Sequence, residues 1–200
     1  MTHIAGIYLF PEVENLDFAG PFEVFFTAAR MYRRGHPEEE LLFQPLLIAE
    51  NPGPVAARGN VRVLPHHTFQ DHPPLDILLV PGGVVSEIME NSGALEWIRR
   101  ESARATYTVS VCTGAFLLGA AGLLKDKRAV THWEDMEDLG KLFPHLHLAR
   151  EARWVDEGKV ITAAGISAGI DVALHLVERI GGEELALRTA RQMEYRWNRN

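Results

Sequence analysis

Cys112 is the only cysteine in the chain, and its surroundings suit nucleophilic chemistry. Ala105–Val111, which leads into it, is rich in β-branched residues and reads as a buried strand. Thr113–Gly122, which leads away, is small and apolar at helical spacing and reads as a buried helix. The thiol therefore falls at a sharp strand-to-helix turn, a nucleophile elbow. A helix N-terminus offers free N–H groups and partial positive charge. Both predict a stabilised thiolate, the nucleophilic form of cysteine. The bland reading is a thiol that only packs in the core. Against it, Thr113-Gly114-Ala115 clears space around the sulfur instead of filling it.

Asp17 lies just past the first strand and ahead of a helix. An aspartate there suits helix capping. It also suits a carboxyl that moves a proton for the thiol, because the loop after the first strand can reach the sheet's carboxyl edge. Gly82 and Gly83 follow another strand, where glycines serve a tight turn. Their N–H groups, with that of Thr113, could also face developing negative charge. Ala163–Gly169 is a further strand end entering a helix. Its small residues favour close packing or close approach to a ligand, and Ile166 joins Gly82, Gly83 and Thr113 as a candidate binding residue. His132 beside Trp133 reads as structural more readily than as a base. His66, His67 and His72 sit in a turn-rich stretch without cysteine or glutamate at ligand spacing, so no metal site is expected.

Strand and helix signals alternate around these residues. Strands are expected at 4–10, 42–50, 76–80 and 105–111, with a short one at 128–133. Residues 55–64 and 153–163 read as hairpins around Arg58-Gly59-Asn60 and Asp156-Glu157-Gly158. Helices are expected at 18–33, 95–103, 134–141, 166–180 and 183–197. The 76–80 strand is almost wholly apolar, as the centre of a parallel sheet requires. The alternation predicts an α/β fold: a mostly parallel central sheet with helices on both faces, a flavodoxin-like sandwich, as one domain over 1–200. Ligands of such folds bind at the carboxyl ends of the strands, where Cys112, Gly82 and Gly83 fall.

Composition narrows the partners. The chain has 200 residues, 46% hydrophobic and 24% charged, with formal charge −7. Such a charge disfavours nucleic acid. No apolar run reaches the ~18 residues that span a bilayer, and the N-terminal residues run straight into a strand without a basic leader. One cysteine makes no internal disulfide, which fits a reducing cytoplasm. No phosphate loop or dinucleotide fingerprint is present, so no cofactor is expected. A small-molecule substrate remains.

Val80–Gly83, Ser110–Gly114, Gly119–Leu124, Thr131–Trp133 and Gly165–Asp171, preceded by Phe10–Glu12 and Asp17–Glu23, resemble the ThiJ/PfpI superfamily, whose fold is similar to the class I glutamine amidotransferase domain. The matches run in order from about residue 4 to residue 180. Asp at position 17 and Cys-Thr-Gly at the elbow are most similar to the isocyanide hydratase branch. That resemblance implies a homodimer, a nucleophilic Cys112, Asp17 as general acid and base, and backbone donors near Gly83 and Thr113. The reaction implied is water addition to an isocyanide carbon, giving an N-formamide through a Cys112 thioimidate. The peptidase branch has His directly after its cysteine, where Thr113 stands here. One alternative is a cofactor-free deglycase or glyoxalase acting on small 2-oxoaldehydes. Another is a non-catalytic small-molecule or redox-sensing domain like the sensor domains of AraC-type regulators. Those continue into a helix-turn-helix region, for which the 200 residues leave no room.

Overall fold

A computed structural model describes residues 1–199. In chain order the elements are β1 (His3–Leu9), α1 (Asn15–Gly35), β2 (Phe43–Ala49), β3 (Val55–Ala57), β4 (Val61–Val63), β5 (His67–Thr68), β6 (Ile77–Val80), α2 (Ser86–Glu90) and α3 (Ser92–Arg104). Then follow β7 (Tyr107–Val111), α4 (Gly114–Ala120), β8 (Arg128–Ala129), α5 (Met136–Leu142), β9 (His147–Leu148), β10 (Trp154–Glu157), β11 (Val160–Ala163), α6 (Ala168–Gly181) and α7 (Glu183–Gln192). Seven strands form the central sheet in the order β10-β11-β7-β6-β1-β2-β5. All neighbours pair in parallel except β10 with β11. Helices α1, α6 and α7 pack together, and α3 and α4 pack together against β6 and β7.

The sequence pattern explains the centre. Every residue of β6 is buried, because it lies between β1 and β7 with helices over both faces. Helix α6 turns Val172, Ala173, Leu176 and Val177 into the core. The two expected hairpins form as antiparallel pairs, β3 with β4 and β10 with β11.

Four boundaries differ from the sequence reading. Helix α1 starts at Asn15, with Glu14 at its cap, so Asp17 lies inside the first turn and does not cap it. The 128–133 strand shrinks to Arg128–Ala129; Thr131 and His132 are loop, and Trp133–Asp135 forms a single 3₁₀ turn before α5. Helix α6 begins at Ala168, two residues late, since Ile166 adopts φ 46°. The last helix ends at Gln192, five residues early. Beyond it the chain folds back, and the Trp197 indole donates to the Asp171 carbonyl at 3.2 Å. The two-residue strands β5 and β9 are too short to leave a periodic signal.

Strands β1, β6, β7 and β11 end at Leu9, Val80, Val111 and Ala163. The loops that follow them meet at one sheet edge.

Candidate active site

Cys112 occupies the turn between β7 and α4 with φ 55°, a left-handed conformation that costs a non-glycine residue about 1–3 kcal/mol. The surroundings impose it. Its N–H donates to the carbonyls of Ala163 at 3.1 Å and Ala164 at 3.0 Å. Its own carbonyl accepts the Thr131 hydroxyl at 2.7 Å. The result is a sulfur at the pocket floor on a residue only 7% exposed.

Asp17 is fully buried. Its Oδ2 accepts the Gly82 N–H at 2.9 Å. Oδ1 meets no N–H or O–H donor among the described residues, and the carboxyl faces the Cys112 thiol. Gly83 donates its N–H to Thr113 Oγ1 and accepts the Thr113 hydroxyl on its carbonyl, both at 2.9 Å. The Gly82 and Gly83 N–H groups therefore hold the acid and brace the elbow. The backbone N–H groups of Thr113 and Ile166 lie near the sulfur, around the same cavity, and favour its charged form. All six residues singled out in the sequence thus converge.

Electrostatics at the sulfur pulls both ways. Helix α4 has only seven residues. Burial, and then the Asp17 charge, push the Cys112 thiol up to about 12; the Thr113 and Ile166 N–H groups pull the other way. Burial pushes Asp17 up to about 7, opposed by the Gly82 bond, with Glu14 adding to the rise. Two negative charges in one dry pocket disfavour each other, so the pair titrates as a unit.

The open cavity above the sulfur has a volume of about 320 Å³ and is lined by Glu14, Arg58, Gly83, Cys112, Thr113, His132, Glu134, Asp135 and Ile166. His132 Nδ1 stands 3.5 Å from Asp135 and 3.6 Å from Glu134. Exposed Trp133 adjoins it on the chain. Arg58, Glu14 and Asp135 were not marked by the sequence. Arg58 arrives from the far side of the β3 turn, where its N–H binds the Val13 carbonyl at 3.0 Å and its guanidinium sits 3.6 Å from Glu14. No local pattern announces such a long-range contact. Asp135 lay in an acidic run that reads as a solvated helix face. His66 and His72 serve structure: His66 accepts the Leu47 N–H at 2.9 Å, and His72 accepts the Trp97 indole N–H at 2.9 Å.

Known proteins are similar to this chain in sequence and fold. Isonitrile hydratase from Pseudomonas putida is 38% identical over 192 residues, 95% of this chain and 77% of that protein. The HTH-type transcriptional regulator CdhR of Pseudomonas aeruginosa is 28% identical over 163 residues, 82% of this chain but 47% of the regulator. The crystal structure of a ThiJ/PfpI family protein from Pseudomonas syringae superposes with TM-score 0.85 at 27% identity, covering 100% of this chain and 77% of that one. The DJ-1/PfpI family pattern itself matches residues 4–179. With that span and a cysteine elbow at the carboxyl edge of a parallel sheet, the chain belongs to the DJ-1/PfpI family.

Proposed function

We propose that the protein is an isonitrile hydratase-like lyase that adds water to an isocyanide carbon and releases an N-formamide. The observation that carries this is the buried contact of Asp17 with the Cys112 thiol under a cavity of about 320 Å³. The Pseudomonas putida isonitrile hydratase, similar along 95% of this chain, supports the substrate class.

The steps follow from the paired protons. The Asp17 carboxylate takes the thiol proton as sulfur attacks the isocyanide carbon, and a C–S bond forms. Asp17 then delivers that proton to the same carbon, leaving a thioimidate, R–N=CH–S–Cys112. Water attacks the thioimidate carbon, and Asp17 takes one of its protons and passes it to the nitrogen, giving R–NH–CH(OH)–S–Cys112. On collapse the C–S bond breaks, the hydroxyl proton passes through Asp17 to the sulfur, the thiol is restored and R–NH–CHO is released. One water is consumed and nothing is oxidised. The Thr113 and Ile166 N–H groups stabilise the sulfur's charge on entry and departure.

The test is turnover of an aryl isocyanide and of methylglyoxal, side by side, by wild type and Cys112→Ala. Isocyanide hydration by wild type alone is the expected result. Full hydration by Cys112→Ala would remove the covalent route. Turnover of methylglyoxal alone would move the protein to the deglycase class.

A further inference from the structure

We propose that Arg153 and Ser167 are positioning residues for the nucleophile: the Arg153–Asp171 ion pair, clamped by the C-terminal segment Tyr195–Asn198, holds the Ser167 turn so that the Ile166 N–H stays on the Cys112 sulfur. The claim rests on Cys112 being the reactive thiol and not on the identity of the substrate.

The geometry is specific. Ile166 sits at φ 46°, a conformation an isoleucine holds only under constraint. Arg153 grips the turn twice. Its carbonyl accepts the Ala164 N–H at 3.0 Å, and its guanidinium donates to Ser167 Oγ at 2.8 Å. The same guanidinium donates to Asp171 Oδ2 at 2.7 Å.

Asp171 is fully buried near the start of α6. Its Oδ1 accepts the Asn198 N–H at 2.9 Å, and its carbonyl accepts the Trp197 indole at 3.2 Å. The Tyr195 hydroxyl lies close to both Asp171 and Arg153. Arg199 then ties the segment to Glu183 at 2.6 Å and to Glu178. The tail residues thus converge on Asp171, Asp171 holds the Arg153 guanidinium, and that guanidinium alone reaches on to Ser167, the neighbour of Ile166.

Stabilising the tail alone would not require the bond to Ser167. That bond runs from the clamp toward the active site, and a charged, planar, forked donor sets an angle as well as a distance. Loss of the fork frees the turn to relax from its left-handed geometry, and the Ile166 N–H swings off the sulfur.

Because Cys112 is the only cysteine, iodoacetamide alkylation of the intact folded protein reports it alone. The groups facing the thiol are Asp17 from α1 and Asp135 from the 3₁₀ turn. His132 lines the same cavity, and Glu14 and Arg58 lie beyond Asp17. None of these changes in Ser167→Ala or Arg153→Lys, and the lysine keeps the positive charge. We expect both variants to fold, with unfolding temperatures within a few degrees of wild type. Both should alkylate about tenfold more slowly at any pH below the thiol's own pKa, equivalent to an upward shift of about one unit. Isocyanide kcat should fall with it at an unchanged KM. Wild-type alkylation rates in both folded variants would overturn the proposal even if the wild-type protein hydrates isocyanides. A slowed thiol in a protein that hydrates none would uphold the clamp and refute the substrate.

Discussion

The site is made by two strand-to-helix elbows on neighbouring parallel strands, and they are built differently. Strand β7 leads to Cys112 at φ 55°, and β11 leads to Ile166 at φ 46°. Each strains a non-glycine residue at the same sheet edge. The Cys112 elbow is held mainly through backbone groups: the Ala163 and Ala164 carbonyls and close contacts to the turn after β6, with the short Thr131 and Thr113 hydroxyls beside them. Its helix, α4, has seven residues. The Ile166 elbow leads into a 14-residue amphipathic helix and is held by ionic side chains that reach the chain's C-terminal segment. The reactive atom sits on the rigid elbow, while its charge-stabilising donor sits on the one that side chains can tune.

Charge separates the elbows most strongly. Asp17 faces the sulfur of the first, so Asp17→Asn should cut isocyanide kcat/KM by about 10²–10⁴, the usual worth of a positioned acid–base group. Wild-type kcat/KM should rise with pH through about 7, as Asp17 becomes the base that accepts the thiol proton, and the variant should lose that inflection. Stability moves the opposite way. Asp17 titrates near 3.8 when unfolded and about 7 when folded, so the native state binds the extra proton between those values. Wild-type stability therefore declines as pH rises from about 4 to about 7 and then levels off. Asp17→Asn should be the more stable protein at pH 8, by roughly 2–4 kcal/mol, and should converge with wild type near pH 4. Denaturant titrations at the two pH values check both signs. A variant less stable than wild type at pH 8 would show that Asp17 is not strained by burial.

The next contrast is steric. A Cβ on Gly114, after the first elbow, would stand 2.1 Å from the Val80 carbonyl oxygen and 2.8 Å from that of Pro81. Both are backbone atoms in the sheet's centre and cannot turn aside. Gly114→Ala should cost about 3 kcal/mol or more, at the upper end of overpacking, and lower the unfolding temperature by roughly 6–12 °C. A Cβ on Gly165, before the second elbow, would stand 2.1 Å from His132 Cδ2. That is a side-chain ring with exposed neighbours, which can rotate away. Gly165→Ala should cost about 1–2 kcal/mol while displacing His132 from the cavity wall. Equal losses in calorimetry would mean the two elbows are equally rigid.

The same asymmetry decided what the sequence could reveal. Cys112, Gly82 and Gly83 are marked by local pattern, because an apolar strand followed by small residues is itself the structure of a backbone-held elbow. Asp17 was visible from its place after β1, although its position inside the first turn of α1 was not: the helix starts at Asn15, three residues before the expected Phe18. Ile166 was included as part of a small-residue segment; that its N–H meets the sulfur was not legible, because the clamp depends on Arg153, Asp171 and Asn198. Those residues lie up to 45 positions apart on the chain. The 183–197 reading failed for the same reason. Residues 193–197 have helical composition, yet tertiary bonds to Asp171 fold them back over α6. The thiolate expectation weighed local dipoles alone; the burial and the second carboxyl that the fold brings in push the thiol the other way.

The mildest perturbation isolates strain from packing. Ile166 is 38% exposed, so its side chain contributes little burial. Glycine would relieve the φ of 46° but add about 0.5–1 kcal/mol of unfolded-chain entropy to be lost on folding. The two terms nearly cancel, and Ile166→Gly should leave the unfolding temperature within about 2 °C of wild type. Alkylation of Cys112 should still slow two- to threefold, because the constrained N–H now samples other directions. The same substitution at Cys112 could not make this separation, since it deletes the reactive atom together with the strain. An Ile166→Gly protein that alkylates at the wild-type rate would show that Arg153 and Ser167 fix the turn without help from the residue between strand and helix, and that strain at the second elbow serves packing alone.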